Sequence, residues 1–159
     1  MRLVPIQRGG VIHEDIGPLP AVTVEVFVGT SSLYESAGYA PPWICYLAVA
    51  YDKIVGTCGF KSAPSQGRVE IAYFTFPDYE GKGIATQMAR QLVSIASAAD
   101  PDIIVAAQTL PDRNASHRVL EKLGFVRIGT QEHPEDGTVL EWHKVDPVFQ
   151  PSHAAHRDK

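Results

Sequence analysis

One stretch carries the residue types best placed to do chemistry: Val69-Glu70-Ile71-Ala72-Tyr73-Phe74-Thr75-Phe76-Pro77-Asp78-Tyr79-Glu80-Gly81-Lys82-Gly83-Ile84-Ala85-Thr86. It reads as a strand, a proline-ended turn, a Gly-rich loop and a helix. A loop that opens straight into a helix points several unbonded backbone N–H groups at one place. That place is also the positive end of the helix dipole, so it suits a phosphate. Glu70 lies on the strand leading there. A carboxylate beside a phosphate cradle fits general-base work on a phosphate-bearing cosubstrate.

Two familiar phosphate loops do not fit. A P-loop places Ser or Thr after the lysine, where this chain has Gly83. A dinucleotide fingerprint needs a third small residue where Thr86 stands, and a parallel unit before it. Taken alone, so short a loop is a weak signal, and it reads equally as a ligand-free turn between strand and helix.

The rest of the chain sets bounds. Its 159 residues suit one domain, expected over 1–149, with a polar, His-rich tail over 150–159. Hydrophobic residues make up 45% and charged ones 20%, with a net charge of −4. That balance opposes a nucleic-acid partner, which needs a basic face. No apolar run approaches a membrane span and no signal-peptide pattern opens the chain, so the expectation is a cytoplasmic protein without a membrane partner. Cys45 and Cys58 fall in apolar runs on neighbouring strands. They read as buried thiols, with a disulfide left open. Neither they nor the six histidines have metal spacing, so no metal is expected.

These groups need elements to hold them. Arg2 to Ile6 is a strand. Ala21 to Tyr34 is ambiguous, because Val22, Val24, Val26 and Val28 alternate like a strand while Pro20 suits a helix start. Ile44 to Ala50, Ile54 to Phe60 and Arg68 to Phe76 form a meander of three strands. A helix follows from Gly83 to Ala98, with Ile84, Met88, Leu92 and Ile95 on one face. Ile103 to Thr109 is a central strand. Asn114 to Leu123 is a helix closed by Gly124. Phe125 to Gly129 and Thr138 to Val145 are the last strands, separated by a polar turn over Glu132 to Gly137.

Two motifs then stand in order: Glu70-Ile71-Ala72-Tyr73 leading through Pro77 and Tyr79 to Gly81-Lys82-Gly83-Ile84-Ala85-Thr86, and Asn114-Ala115-Ser116 leading to Val119-Leu120-Glu121-Lys122-Leu123-Gly124-Phe125. Together they resemble the GNAT superfamily of acetyl-CoA-dependent N-acyltransferases, most nearly its ribosomal-protein N-terminal acetyltransferase-like branch. The likeness covers Tyr46 to Trp142 well and the N-terminal third by element order. It implies an α/β fold with a mixed, twisted sheet of six or seven strands and helices on both faces. It also assigns helix to Ala21 to Tyr34, against the local alternation.

The resemblance further implies residue roles. Acetyl-CoA is the cosubstrate, its pantetheine arm pairing with backbone groups of Phe74, Thr75 and Phe76. Its pyrophosphate rests on Gly81, Lys82, Gly83, Ile84, Ala85 and Thr86, with Asn114 also on the cofactor side. Glu80 stands where such proteins often have Gln or Arg, and it should face solvent. Glu70 would be the base, directly or through water. Its plain alternative is a strand carboxylate paired with a nearby Lys or Arg. Leu120 replaces the tyrosine that many members use as acid, so Ser116 is the substitute, unless it is only a helix-start hydroxyl. Tyr34, Tyr39, Trp43, Tyr73 and Tyr79 are candidates for an aromatic acceptor pocket, or else packing. The implied reaction is direct acetyl transfer to a primary amine on a small molecule or peptide, with a homodimer left open. The rival is a non-catalytic acyl-CoA-binding or regulatory module.

Overall fold

A computed structural model describes residues 1–112 and 114–145; the tail expected over 150–159 lies outside them. Among these residues seven strands and three α-helices follow in order: β1 (Arg2–Pro5), α1 (Val22–Ala37), β2 (Cys45–Ala50), β3 (Lys53–Phe60), β4 (Arg68–Thr75), α2 (Ile84–Ala99), β5 (Ile104–Thr109), α3 (Ala115–Lys122), β6 (Phe125–His133) and β7 (Gly137–Lys144), with one 3-10 turn over Pro77–Tyr79. They form one mixed sheet in the order β1-β2-β3-β4-β5-β7-β6. Only β4 and β5 run parallel. The expected α/β fold is met, with helices on both faces.

Each face has its own core. Ile84, Met88, Ala89, Leu92 and Ala96 of α2 and Val119 and Leu120 of α3 pack on the face carrying Ala48, Val55, Val69, Ile71, Val105 and Ala107. Their spacing along α2 puts them on one helical stripe. Val22, Val26 and Phe27 of α1 pack on the opposite face, over Val4, Ile6, Leu47, Ile54 and Phe76.

The alternation in α1 now has a physical account. Val22 and Val26 are one turn apart and face the sheet, while Val24 and Val28 are one turn apart and lie 65% and 64% exposed. Two interleaved pairs at spacing four look like a period of two. Buried Tyr34 fixes the helix by donating its hydroxyl to Ile6 O at 2.8 Å and accepting from Cys45 N–H at 2.9 Å. The other difference is at the far edge. β6 runs on to His133, through residues expected to turn, because each of Thr130 to His133 pairs with β7. These residues are mostly polar and exposed, as an outer edge strand allows. Both cysteines are free thiols.

Pairing around β4 sets the shape of the site. Its partner β3 runs beside it from Gly56 opposite Thr75 to Phe60 opposite Ile71. β5 pairs with it only at Arg68, Val69 and Glu70, opposite Ile104, Val105 and Ala106. From Ala106 to Thr109, β5 pairs on its other side with β7. The parallel neighbours therefore part after Glu70 and leave a wedge between them.

Candidate active site

Strand geometry decides which groups face the wedge. Glu70 O accepts from Lys61 N–H at 3.0 Å, and Phe76 N–H donates to Val55 O at 2.9 Å. Backbone direction alternates along a strand. Even-numbered residues 70 to 76 therefore bond to β3, and Tyr73 and Thr75 turn their N–H and C=O toward the wedge. This corrects the expected trio. Thr75 is a wedge residue, but Phe74 bonds toward β3. Phe76 has both groups engaged, its carbonyl taking Tyr79 N–H at 2.9 Å.

Side chains alternate as well. Val69, Ile71 and Tyr73 point to the α2–α3 face, and Arg68, Glu70, Ala72 and Phe74 to the α1 face. On the α1 face a groove of about 290 Å³ runs between α1 and β3–β4, lined by Glu25, Leu33, Thr57, Ala72 and Phe74.

The wedge opens at the start of α2. Gly83 is the N-cap residue, with φ 77° and ψ 12°, and no side chain caps the helix. The N–H groups of Ile84, Ala85 and Thr86 thus have no intrahelical partner. No acidic residue lies in the first turn. Gly81 (φ 76°) and Gly83 are both left-handed, and a Cβ on either would meet no atom within 4 Å. Glycine takes this backbone shape at least cost, and the space before it is open. Ile84 anchors the helix start, only 1% exposed. Lys82 Nζ sits 5.8 Å from the Tyr79 ring centroid. Glu80 is exposed, as expected. The cradle residues 81–86 are therefore together, with free donors and room for an anion. An acyl-CoA pyrophosphate fits that donor set.

Glu70 is the last β4 residue paired to β5, so it marks the apex of the wedge. Its side chain is 11% exposed. Lys61 Nζ stands 2.5 Å from Oε2, an ion pair that is off the line of a hydrogen bond. Arg68 Nη2 lies 3.3 Å from Oε1. The plain alternative named for Glu70 is thus present: both oxygens face a cation. Its backbone stands at the apex, where the two strands part.

Sequence reading missed the network beside it. Arg68 makes a two-pronged contact with Glu141 of β7, Nε to Oε2 at 2.9 Å and Nη2 to Oε1 at 2.7 Å. Gln108 Nε2 donates to Glu141 Oε1 at 3.2 Å, and His143 Nε2 lies 3.1 Å from Oε2. Burial pushes the Glu141 carboxyl up, but hydrogen bonds from Arg68, His143 and Gln108 outweigh this and hold it below the ordinary value. Nothing in local sequence links residues 73 positions apart; only the strand order β4-β5-β7 brings them together.

At the start of α3, Asn114 is the cap. Its Oδ1 accepts Ser116 N–H at 2.9 Å, and its Nδ2 donates to Asp112 O at 2.9 Å. The capping role considered for Ser116 therefore belongs to Asn114. The Ser116 hydroxyl lies against the Tyr73 phenol. Leu120 is fully buried in the core. Cys58 stands opposite Tyr73, 4% exposed, its thiol pushed up by burial, so it is a poor nucleophile. The five aromatic candidates do not form one pocket. Tyr34 braces α1, Tyr39 donates to Gln7 Oε1 at 2.7 Å, and Trp43 packs edge-on to Phe60 at 5.2 Å. Tyr79 holds Lys82, and Tyr73 lies on the wedge-facing edge of β4 with its phenol near Ser116. Among the described residues no His, Cys, Asp or Glu group could hold a metal.

Residues 20–126, more than half of the chain, match the Acetyltransferase (GNAT) domain family. The chain belongs to the GNAT acetyltransferase family. Among curated relatives, this GNAT chain is 32% identical over 85 residues to the "Uncharacterized N-acetyltransferase YjdG" of Bacillus subtilis (strain 168), covering 53% of this chain and 50% of that one. The match thus spans about half the length of that relative. Two solved structures share the fold. One is the aminoglycoside acetyltransferase AAC(6')-Ib with coenzyme A: TM-score 0.56, 24% identity, 67% of this chain and 68% of the other. The second is RimL, a ribosomal L7/L12 alpha-N-protein acetyltransferase: TM-score 0.59, 21% identity, 83% of this chain and 75% of the other. No described helix is long and apolar enough to cross a membrane.

Proposed function

We propose that this GNAT domain is an N-acetyltransferase that moves an acetyl group from acetyl-CoA to a primary amine by direct attack. The observation that carries the reading is the wedge. Two parallel strands part after Glu70, the backbone of Tyr73 and Thr75 is left facing the gap, and the gap leads to an uncapped helix start behind Gly81 and Gly83. The pantetheine arm lies in the wedge as an added strand would, and the pyrophosphate sits on the N–H groups of Ile84, Ala85 and Thr86. The thioester then arrives at the apex beside Glu70.

The amine enters from the α1 face, along the groove that Ala72 and Phe74 line. Glu70 draws a proton from it, through a water held at the apex. Holding donor and amine together supplies much of the rate. The acceptor is a peptide α-amine or a small-molecule amine. RimL, whose structure shares this fold, supports the peptide as a first candidate, and AAC(6')-Ib the small molecule.

The test is thiol release from acetyl-CoA with four amine probes: a tetrapeptide with a free N-terminus, kanamycin, spermidine and aspartate. Release above the amine-free rate with at least one probe is expected. Tight CoA binding with no release on any probe would favour the non-catalytic acyl-CoA module instead.

A further inference from the structure

The core position of Leu120 raises a question of proton supply. When the thioester breaks, a thiolate leaves, and some group must neutralise it. Leu120 is an apolar side chain at 0% exposure and cannot. Ser116 has a hydroxyl at the right end of α3, but an alcohol is a very weak acid. The side chain that Ser116 lies against is a stronger one.

We propose that Tyr73 is the proton donor to the departing CoA sulfur, with Ser116 orienting its phenol. This rests on the acetyl-transfer reading above. Three observations support it. The backbone of Tyr73 faces the wedge, between Thr75 at the mouth and Glu70 at the apex. Its side chain lies on the α2–α3 face, partly buried at the rim of that core, and reaches Ser116 at the start of α3. Glu70 lies on the opposite face of the same strand. A thioester held between the two strands has the base on one side and the phenol on the other. The amine can then attack from the α1 side while sulfur departs on the α2–α3 side.

The proton count closes. The amine lone pair forms the C–N bond, and collapse of the tetrahedral intermediate breaks the C–S bond and leaves its electron pair on sulfur. The Tyr73 hydroxyl proton moves to sulfur and gives CoA thiol. The proton lost by nitrogen passes through the water at Glu70 to solvent, and solvent returns one to the phenolate.

Energetics allow this. Burial pushes the Tyr73 phenol up to about 12 against a smaller opposing pull from Ser116, so it stays loaded at neutral pH. An alkyl thiol near pKa 8.5 in water is a poor match for that donor. The same burial destabilises a thiolate in the wedge and brings the two closer.

The experiment compares Tyr73→Phe, Ser116→Ala and the wild type by thiol release, using the best amine probe, and measures CoA affinity by calorimetry. Tyr73→Phe should lower kcat about 10²-fold, within the range of general acid catalysis, with KM for acetyl-CoA and Kd for CoA within about threefold. Ser116→Ala should lower kcat roughly tenfold, about 1.4 kcal/mol of barrier, with no fall in melting temperature because Asn114 keeps the cap. Replacing Tyr73 by 2,3-difluorotyrosine, which keeps ring and hydroxyl, should restore turnover; this arm decides the matter if Tyr73→Phe folds poorly. Wild-type release with unchanged kcat in Tyr73→Phe overturns the proton-donor role alone. So does a difluorotyrosine protein that folds, binds CoA and stays as slow as Tyr73→Phe. No release by the wild type on any probe overturns the acetyl-transfer reading, and this role with it.

Discussion

β4 is two different strands joined at Glu70. Over Arg68 to Glu70 it is bonded on both edges, to β5 on one side and on the other to the loop after β3, through Ser65 and Lys61, and Arg68 and Glu70 enter a partly buried ion network that reaches β7. Over Ile71 to Thr75 it is paired only to β3, and its other edge is bare. The first half is built like structure and the second like a site. An unpaired strand edge inside a sheet leaves backbone donors and acceptors that something must satisfy. Proteins cover exposed edges; here the edge faces the gap left where β5 stops pairing, which suits a ligand able to pair with it.

That contrast can be broken at several points. The largest effect is expected at the wedge mouth. Acetyl-CoA at a hundredfold excess over its Kd should stabilise the wild type by about 2.7 kcal/mol. Gly83→Asp strains a left-handed residue and adds a carboxylate before the free N–H groups, so it should abolish that rise in melting temperature and all turnover. A retained rise would move the cradle elsewhere.

Next comes the apex, where both halves meet. Glu70→Gln keeps the shape and removes the base, so turnover should fall about 10²-fold while CoA affinity stays. The competing outcome is specific: if Glu70 only completes an ion pair with Lys61 and Arg68, melting temperature falls and turnover holds.

The doubly paired half should show itself in stability alone. Glu141→Gln removes the charge that Arg68 grips in two places, and should cost about 1–3 kcal/mol at neutral pH with CoA binding unchanged. Its pH dependence has a definite sign. The folded-state pKa of Glu141 is lowered, so its contribution is fully present above the unfolded value of about 4.3 and lost as pH falls through the lower folded one. The gap in melting temperature between wild type and Glu141→Gln should therefore close on acidification. A gap that does not narrow as the pH falls would mean packing, not charge, holds the network.

Much of this was legible in the sequence because it is local. The Gly81-Lys82-Gly83 loop, the helix after it and the meander before it follow from turn chemistry and periodicity, and all three are present. What could not be read was pairing at a distance. Which β4 backbone groups face the wedge depends on register with β3, and one step of register separates Thr75, which does, from Phe74 and Phe76, which do not. The Arg68–Glu141 grip needs the strand order. Asn114 rather than Ser116 caps α3, a choice between neighbours two positions apart that only geometry makes. For α1, the alternating valines were consistent with either element, and burial of Val22 and Val26 settled it.

The most direct measurement is amide hydrogen exchange along β4, read residue by residue with and without CoA. Ala72 and Phe74 donate to β3 and should exchange slowly in both states. Tyr73 and Thr75 should exchange fast in the free protein and slow markedly when CoA lies in the wedge. If CoA binds and the exchange of Tyr73 and Thr75 does not change, the wedge is not where the cosubstrate pairs.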